Sequence, residues 1–276
     1  ASLADFACNT IGAFAGSGLA LAIARTRRHL HSSPFAGFLR HPVAAALLLS
    51  WVGYRLAPFA FAAHPGEWLR SFRPLTHLTF GPEALLQHVI AWLVLVYISA
   101  RLAPERPVAV ASAAMGVILA GRVFIPGLAL EPAEIAGMAA ALLAARPLLG
   151  RPPEGVALGL AGALFLLLAW QGLAPFDFQL AQDRFAWVPF GESLLQYRAA
   201  NLIEMFLRCF MNGALVWLLA RSGLSVLAAT SIGAGGVFAV EFLQTWLPGQ
   251  TAEITDPLLA VCAGGLIAVF ERDGGP

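Results

Sequence analysis

Glu241-Phe-Leu-Gln244-Thr-Trp-Leu-Pro248-Gly-Gln250-Thr-Ala-Glu253-Ile-Thr-Asp256 is a polar hinge between two apolar runs. The run before it, Val226 to Trp246, is long enough as a helix to cross about 30 Å of hydrocarbon. Pro248-Gly249 is a turn signal. Pro257 suits the first position of a following helix, with Asp256 ahead of it as a cap. Two apolar helices around a polar turn make a membrane hairpin, so the stretch predicts a helical, membrane-embedded fold. Glu241 and Gln244, three residues apart, share one helix face. An ionisable group at the edge of a hydrophobic span is costly and marks a candidate site. The plainer alternative is a capping Asp256 and a structural, hydrogen-bonding Glu241.

Composition extends this reading to the whole chain. Of 276 residues, 59% are hydrophobic and 12% charged, with mean hydropathy +0.75, against about 25% charged in a soluble domain. The chain has no Lys, so all 17 basic side chains are Arg, and the net charge of +1 offers nothing to nucleic acid. Cys8, Cys209 and Cys262 lie in apolar runs and read as small apolar residues rather than disulfide partners. The first residue is Ala and the chain opens inside a motif, which predicts that an N-terminal piece is missing.

The hydrophobic pattern predicts an all-α polytopic bundle of about nine spans. These run near Phe6–Ala24, Pro42–Phe61, Ala84–Ala100, Val108–Ile125, Ile135–Ala145, Val156–Leu173, Leu202–Ala220, Val226–Trp246 and Pro257–Phe270. The basic loop Arg25-Thr-Arg27-Arg28-His29-Leu-His31 sets the cytoplasmic side. Arg40, Arg101, Arg106, Arg146, Arg151, Arg221 and Arg272 then share that side, and Arg70, Arg73, Arg184 and Arg198 lie opposite. Asp5, Trp187, Pro189, Gln244, Gln250 and Asp256 gather at the outer end. Glu204 and Arg208, at i and i+4, form an expected intramembrane pair.

The hinge resembles the VanZ-like family pattern Glu-x-x-Gln, Pro-x-Arg, Asp-x-x-x-Asn-x-x-Gly. Glu241, Gln244, Pro248 and Asp256 match it. Gln250 stands where the family has Arg, Ala260 where it has Asn, and Ala263 where it has the first Gly. The chain's opening, Asp5-Phe-Ala-Cys-Asn9-Thr-Ile-Gly12-Ala-Phe-Ala-Gly16, carries the full ending of the pattern. Trp187-Val-Pro189-Phe190 resembles the Pro-Phe segment that opens the family domain.

Leu47-Leu-Leu-Ser-Trp51 through Pro58-Phe59-Ala-Phe61 echoes Leu166-Leu-Leu-Ala-Trp170 through Pro175-Phe176-Asp-Phe178, and Pro126-Gly127 with Glu134 echoes Pro248-Gly249 with Glu253. This predicts the end of one VanZ-like unit (1–33), a degenerate unit (34–152) without equivalents of Glu241, Gln244 or Asp256, and a more complete unit (153–276).

The histidines show no zinc-like spacing, there is no phosphate loop with Lys, and no nucleophile has a visible base, so neither metal nor cofactor is expected. Glu241, Gln244, Gln250 and Asp256, with Asp5 and Asn9, are expected to form an outward pocket roofed by Trp187, Pro189 and Phe190. The resemblance implies a non-enzymatic protein of the bacterial inner membrane and cell envelope, linked to teicoplanin-type glycopeptide susceptibility. Its expected partners are the bilayer and a lipid-linked envelope precursor or lipopeptide. The alternatives are a membrane enzyme using Asp256 and Glu241 as acid and base, or a repeat-built transporter.

Overall fold

The computed structural model describes residues 36–59, 65–76, 81–180, 182–189 and 199–271. The first expected span, the basic loop at residues 25–31, Asp5, Asn9 and Phe190 lie outside them. Two compact units are distinguished, Ala1–Arg40 and His41–Pro276. Of the first, only the short helix α1 (Ala36–Arg40) is described.

The second unit contains α2 (Pro42–Leu56), α3 (Pro65–Arg70), α4 (Pro82–Leu102), α5 (Pro107–Phe124), α6 (Pro132–Leu149), α7 (Pro153–Leu173), α8 (Ala199–Arg221), α9 (Val226–Gln244) and α10 (Thr255–Phe270). Helices α2 to α7 each begin with Pro, whose missing N–H falls where a helix has no internal acceptor for it. Ser225 starts α9 differently, its hydroxyl accepting from the Ala228 N–H at 3.2 Å.

Among the described residues, six helices are long and apolar enough to cross a membrane: α4, α5, α6, α7, α8 from Ile203, and α9. The apolar helices α2 and α10, of 15 and 16 residues, are shorter. Leu143, Leu227 and Val269 turn large apolar side chains outward, a surface that suits hydrocarbon better than water. The expected short span Ile135–Ala145 is a full-length helix. Arg146-Pro147 reads as a terminator, yet Pro147 sits in the last turn of α6, where the helix tolerates it.

Two successive runs share one order of elements. In the first, α2 leads into Ala57-Pro58-Phe59, a polar connection, the antiparallel helices α4 and α5, the turn Pro126-Gly127, and α6. In the second, α7 leads into Ala174-Pro175-Phe176, a polar connection, α8 and α9, the turn Pro248-Gly249, and α10. Both Ala-Pro bonds are cis, Phe59 and Phe176 have φ of 60° and 65°, and Gly127 and Gly249 both have φ 79°. The runs interlock: α2 packs against α8 of the other run, and α7 against α4.

Tight helix contacts rest on small residues. A Cβ at Gly137 of α6 would lie 2.6 Å from His88 Cβ and 3.0 Å from the His88 backbone carbon of α4. Backbone cannot yield as a flexible side chain can. Gly137→Ala is therefore expected to destabilise the protein by about 1–3 kcal/mol. Thermal melting in detergent against a Gly116→Ala control, where the added carbon meets nothing, measures this. Equal melting points would mean the interface adjusts freely.

Candidate functional site

The hinge between α9 and α10 becomes one wall of an open-sided cavity of about 410 Å³. Val237, Val240, Glu241 and Gln244 recur at i, i+3, i+4 and i+7, so α9 turns one stripe toward the cavity. Phe165, Leu168, Gln171 and Gly172 of α7 face it, Glu204 and Arg208 come from α8, and Gly249, Gln250, Thr251 and Asp256 complete the rim. A Cβ at Gly172 would stand 2.8 Å from both Gln244 Nε2 and Val240 Cγ1. Glycine there lets α7 and α9 close around this end.

Arg208 is the cation at the centre. Its Nη2 and Nε donate to Glu204 Oε1 at 2.7 and 3.0 Å, and its Nη1 donates to Glu253 Oε1 and, at 3.3 Å, to Asp256 Oδ1. Glu241, 6% exposed, accepts from the Glu253 backbone N–H at 3.0 Å and so ties the hinge back onto α9. Gln250 Nε2 donates to the Ala174 carbonyl at 3.2 Å. Among the described residues, three carboxylates (Glu204, Glu253 and Asp256) thus contact one guanidinium, with the Glu241 side chain close behind them on the Glu253 N–H.

The structure brings together Glu241, Gln244, Gln250 and Asp256 as the sequence predicts. It joins to them the Glu204–Arg208 pair, expected to stand apart at mid-span. That pair lies in the early turns of α8, at the same end as the hinge. Asp256 is not the cap: α10 begins at Thr255 with Ile254 ahead of it, and the Asp256 carboxylate turns to Arg208. Trp187 and Pro189 do not roof the cavity. Trp187, 66% exposed, packs against Phe185 and Phe238 (ring centroids 4.7 and 6.5 Å), on a different face of α9. Its segment is nevertheless tied to the hinge, since the Ala186 N–H donates to the Ala252 carbonyl at 2.9 Å and the Ile254 N–H to the Ala186 carbonyl at 3.0 Å.

The first run holds a second charged cluster at the corresponding place. Arg55 donates twice to Glu134 at 2.8 Å and once to Glu131 at 3.2 Å; Arg122 donates to Glu134 and, at 2.8 Å, to Glu131. His88 Nε2 lies 3.4 Å from Glu131. Arg55, His88, Arg122 and Glu134 are all buried. Partial burial works to raise Glu131 on the connection before α6, but the His88 hydrogen bond and the Arg55 charge outweigh it and hold the carboxyl below its usual range.

Register from the turns corrects the expected pairing of the runs. Glu131 follows Gly127 by four residues as Glu253 follows Gly249, so Glu131 answers Glu253 and Glu134 answers Asp256. The degenerate run does carry an equivalent of Asp256. Counting back from the same turns, Arg122 answers Gln244 and Leu119 answers Glu241. Counting from Arg101 and Arg221, His88 answers Arg208, and His88–Glu131 repeats the contact Arg208–Glu253. Counting from the two Ala-Pro steps, Arg55 answers Gly172. The Trp51–Trp170 match falls two residues out of this register. Trp51 is fully buried and Trp170 is 54% exposed, so their likeness is coincidental.

Comparison of the chain with family models, with curated proteins and with solved structures returned no match.

Proposed function

We propose that this is a VanZ-like, multi-pass protein of the bacterial inner membrane that binds the polar end of an amphipathic envelope molecule, a lipid or lipopeptide, in the cavity between α7, α8 and α9. The observation that carries the reading is the mixed lining of that cavity. Phe165, Leu168, Val237 and Val240 offer an apolar wall, and the carboxylates, Arg208 and Gln244 offer a polar one. Pockets of roughly 300–1,000 Å³ with a few convergent polar groups in an apolar wall are the usual form of small-molecule sites.

In this proposal α2 and α10 also cross the bilayer and Phe6–Ala24 supplies a ninth span. The helix ends bearing Arg101, Arg106, Arg146, Arg151 and Arg221 face the cytoplasm by the positive-inside rule. The cavity, at the opposite helix ends, then faces outward. The meeting of Glu241, Gln244 and Asp256 at one cavity supports the VanZ-like reading, and Gln250 in place of Arg departs from it.

Native mass spectrometry of the purified chain tests the binding. We expect a retained amphipathic molecule on the unaltered protein and its loss in Thr251→Trp. Thr251 is an exposed residue at the cavity rim, so the large ring obstructs the cavity without entering the core. A bare protein, or a ligand kept equally by Thr251→Trp, overturns the proposal.

A further inference from the structure

The two runs solve the same geometric problem with opposite charge balances. In the first, Arg55 and Arg122 stand over Glu131 and Glu134, two guanidinium groups against two carboxylates, and the place is filled. In the second, Gly172 and Gln244 occupy the positions of those arginines, and Glu241 and Glu204 add carboxylates where the first run has Leu119 and Ala84. Both Gly172 and Gln244 line the cavity. The cavity is therefore the space left where the sister run puts two guanidinium groups, and it sets the acidic side chains of Glu204, Glu241, Glu253 and Asp256 against Arg208.

Gln244 adds a neutral polar group to that space. It is 7% exposed and lines the cavity. An amide can accept through its oxygen from a cation's N–H, as the neighbouring carboxylates do.

We infer that the cavity takes an organic cation, the guanidinium or primary ammonium end of an amphipathic molecule, in the place that Arg55 and Arg122 fill in the first run. This rests on the reading of the cavity as a binding pocket and names the chemistry of what enters it. The N–H groups of the cation meet the carboxylates of Asp256 and Glu241 and the amide of Gln244. Its apolar part lies along Phe165, Leu168 and Val240.

The test uses the chain in phosphatidylcholine nanodiscs, titrated calorimetrically with hexylguanidinium, hexylammonium, hexyl phosphate and hexanol, with empty nanodiscs subtracted. The two cations are expected to saturate one site, with the phosphate and the alcohol at least tenfold weaker. Gln244→Arg, which installs the first run's own cation, is expected to weaken hexylguanidinium at least tenfold. If Gln244→Arg fails to fold, Thr251→Arg places the same charge at the exposed rim and is expected to weaken it at least threefold, while Thr251→Gln leaves it unchanged. Hexyl phosphate or hexanol binding as tightly as the cations, and displaced by Thr251→Trp, overturns the cation assignment but keeps the pocket. Hexylguanidinium binding unchanged by both arginine substitutions overturns it as well. No probe responding to any of these substitutions, Thr251→Trp included, removes the pocket itself.

Discussion

Glu134→Ala is expected to cost the folded protein about 3–5 kcal/mol, the cost of removing one partner from a buried ion pair. Glu134 is fully buried and takes hydrogen bonds from both Arg55 and Arg122. Without it, two guanidinium groups, each about 95% buried, share only Glu131, whose side chain is 46% exposed. Arginine stays charged whatever its surroundings, so the cluster cannot relieve itself by losing a proton. Glu131→Ala, which removes a carboxylate that water already reaches, is expected to cost about 1 kcal/mol. Unfolding by denaturing detergent in mixed micelles ranks the two. Equal losses would mean that burial does not set the strength of this cluster.

Arg208→Ala has the second largest expected effect, about 3 kcal/mol by the same reasoning. It leaves Glu253 and Asp256, with side chains 7% and 17% exposed, beside Glu241 without a cation. Glu204→Ala removes a 52% exposed partner of the same arginine and is expected to cost less than about 1 kcal/mol. Repulsion among the remaining carboxylates is reduced by salt. The melting point of Arg208→Ala should therefore rise more between 0.05 and 0.5 M NaCl (about 14 to about 4 Å of screening length) than that of the unaltered protein. A variant as stable as Glu204→Ala, with no added response to salt, would show that Arg208 is not what holds these carboxylates together.

Much of the helical order was legible because membrane spans are written locally. Long apolar runs and Pro-Gly at turns placed α4 to α9 within a few residues of where they lie. Glu241, Gln244, Gln250 and Asp256 were legible as a group for the same reason: they sit within one hinge. Arg208 was seen only as the partner of Glu204, since nothing local relates α8 to a hinge 45 residues on. The Arg55–Glu134 contact spans 79 residues and escaped notice altogether. Its one sequence signal was the presence of ionisable residues inside apolar runs, which Arg55 and Arg122 gave, while Glu134 stands just ahead of the next run. Two expected matches between the runs are out of register: Glu134 with Glu253, which stand seven and four residues after their turn glycines, and Trp51 with Trp170. A tryptophan satisfies either a core or a lipid-facing surface, whereas a turn glycine at positive φ has few substitutes.

The crossed packing of the runs bears on how the protein is made. Gly53 and Trp51 of α2 rest on Phe206 and Phe210 of α8, the Trp51–Phe210 ring centroids 4.9 Å apart. Helix α7 reaches back to α4 through Gln171 and Gln87, 3.2 Å apart. When α2 leaves the ribosome its main partner has not been synthesised. At about 5–20 residues per second, the wait for α8 is on the order of ten seconds. Through that interval the face of α2 that carries Trp51 and Gly53 lacks the aromatic partners it has in the folded protein. A ribosome that stops after α6 therefore releases the first run with the α8-facing seam of α2 unfilled.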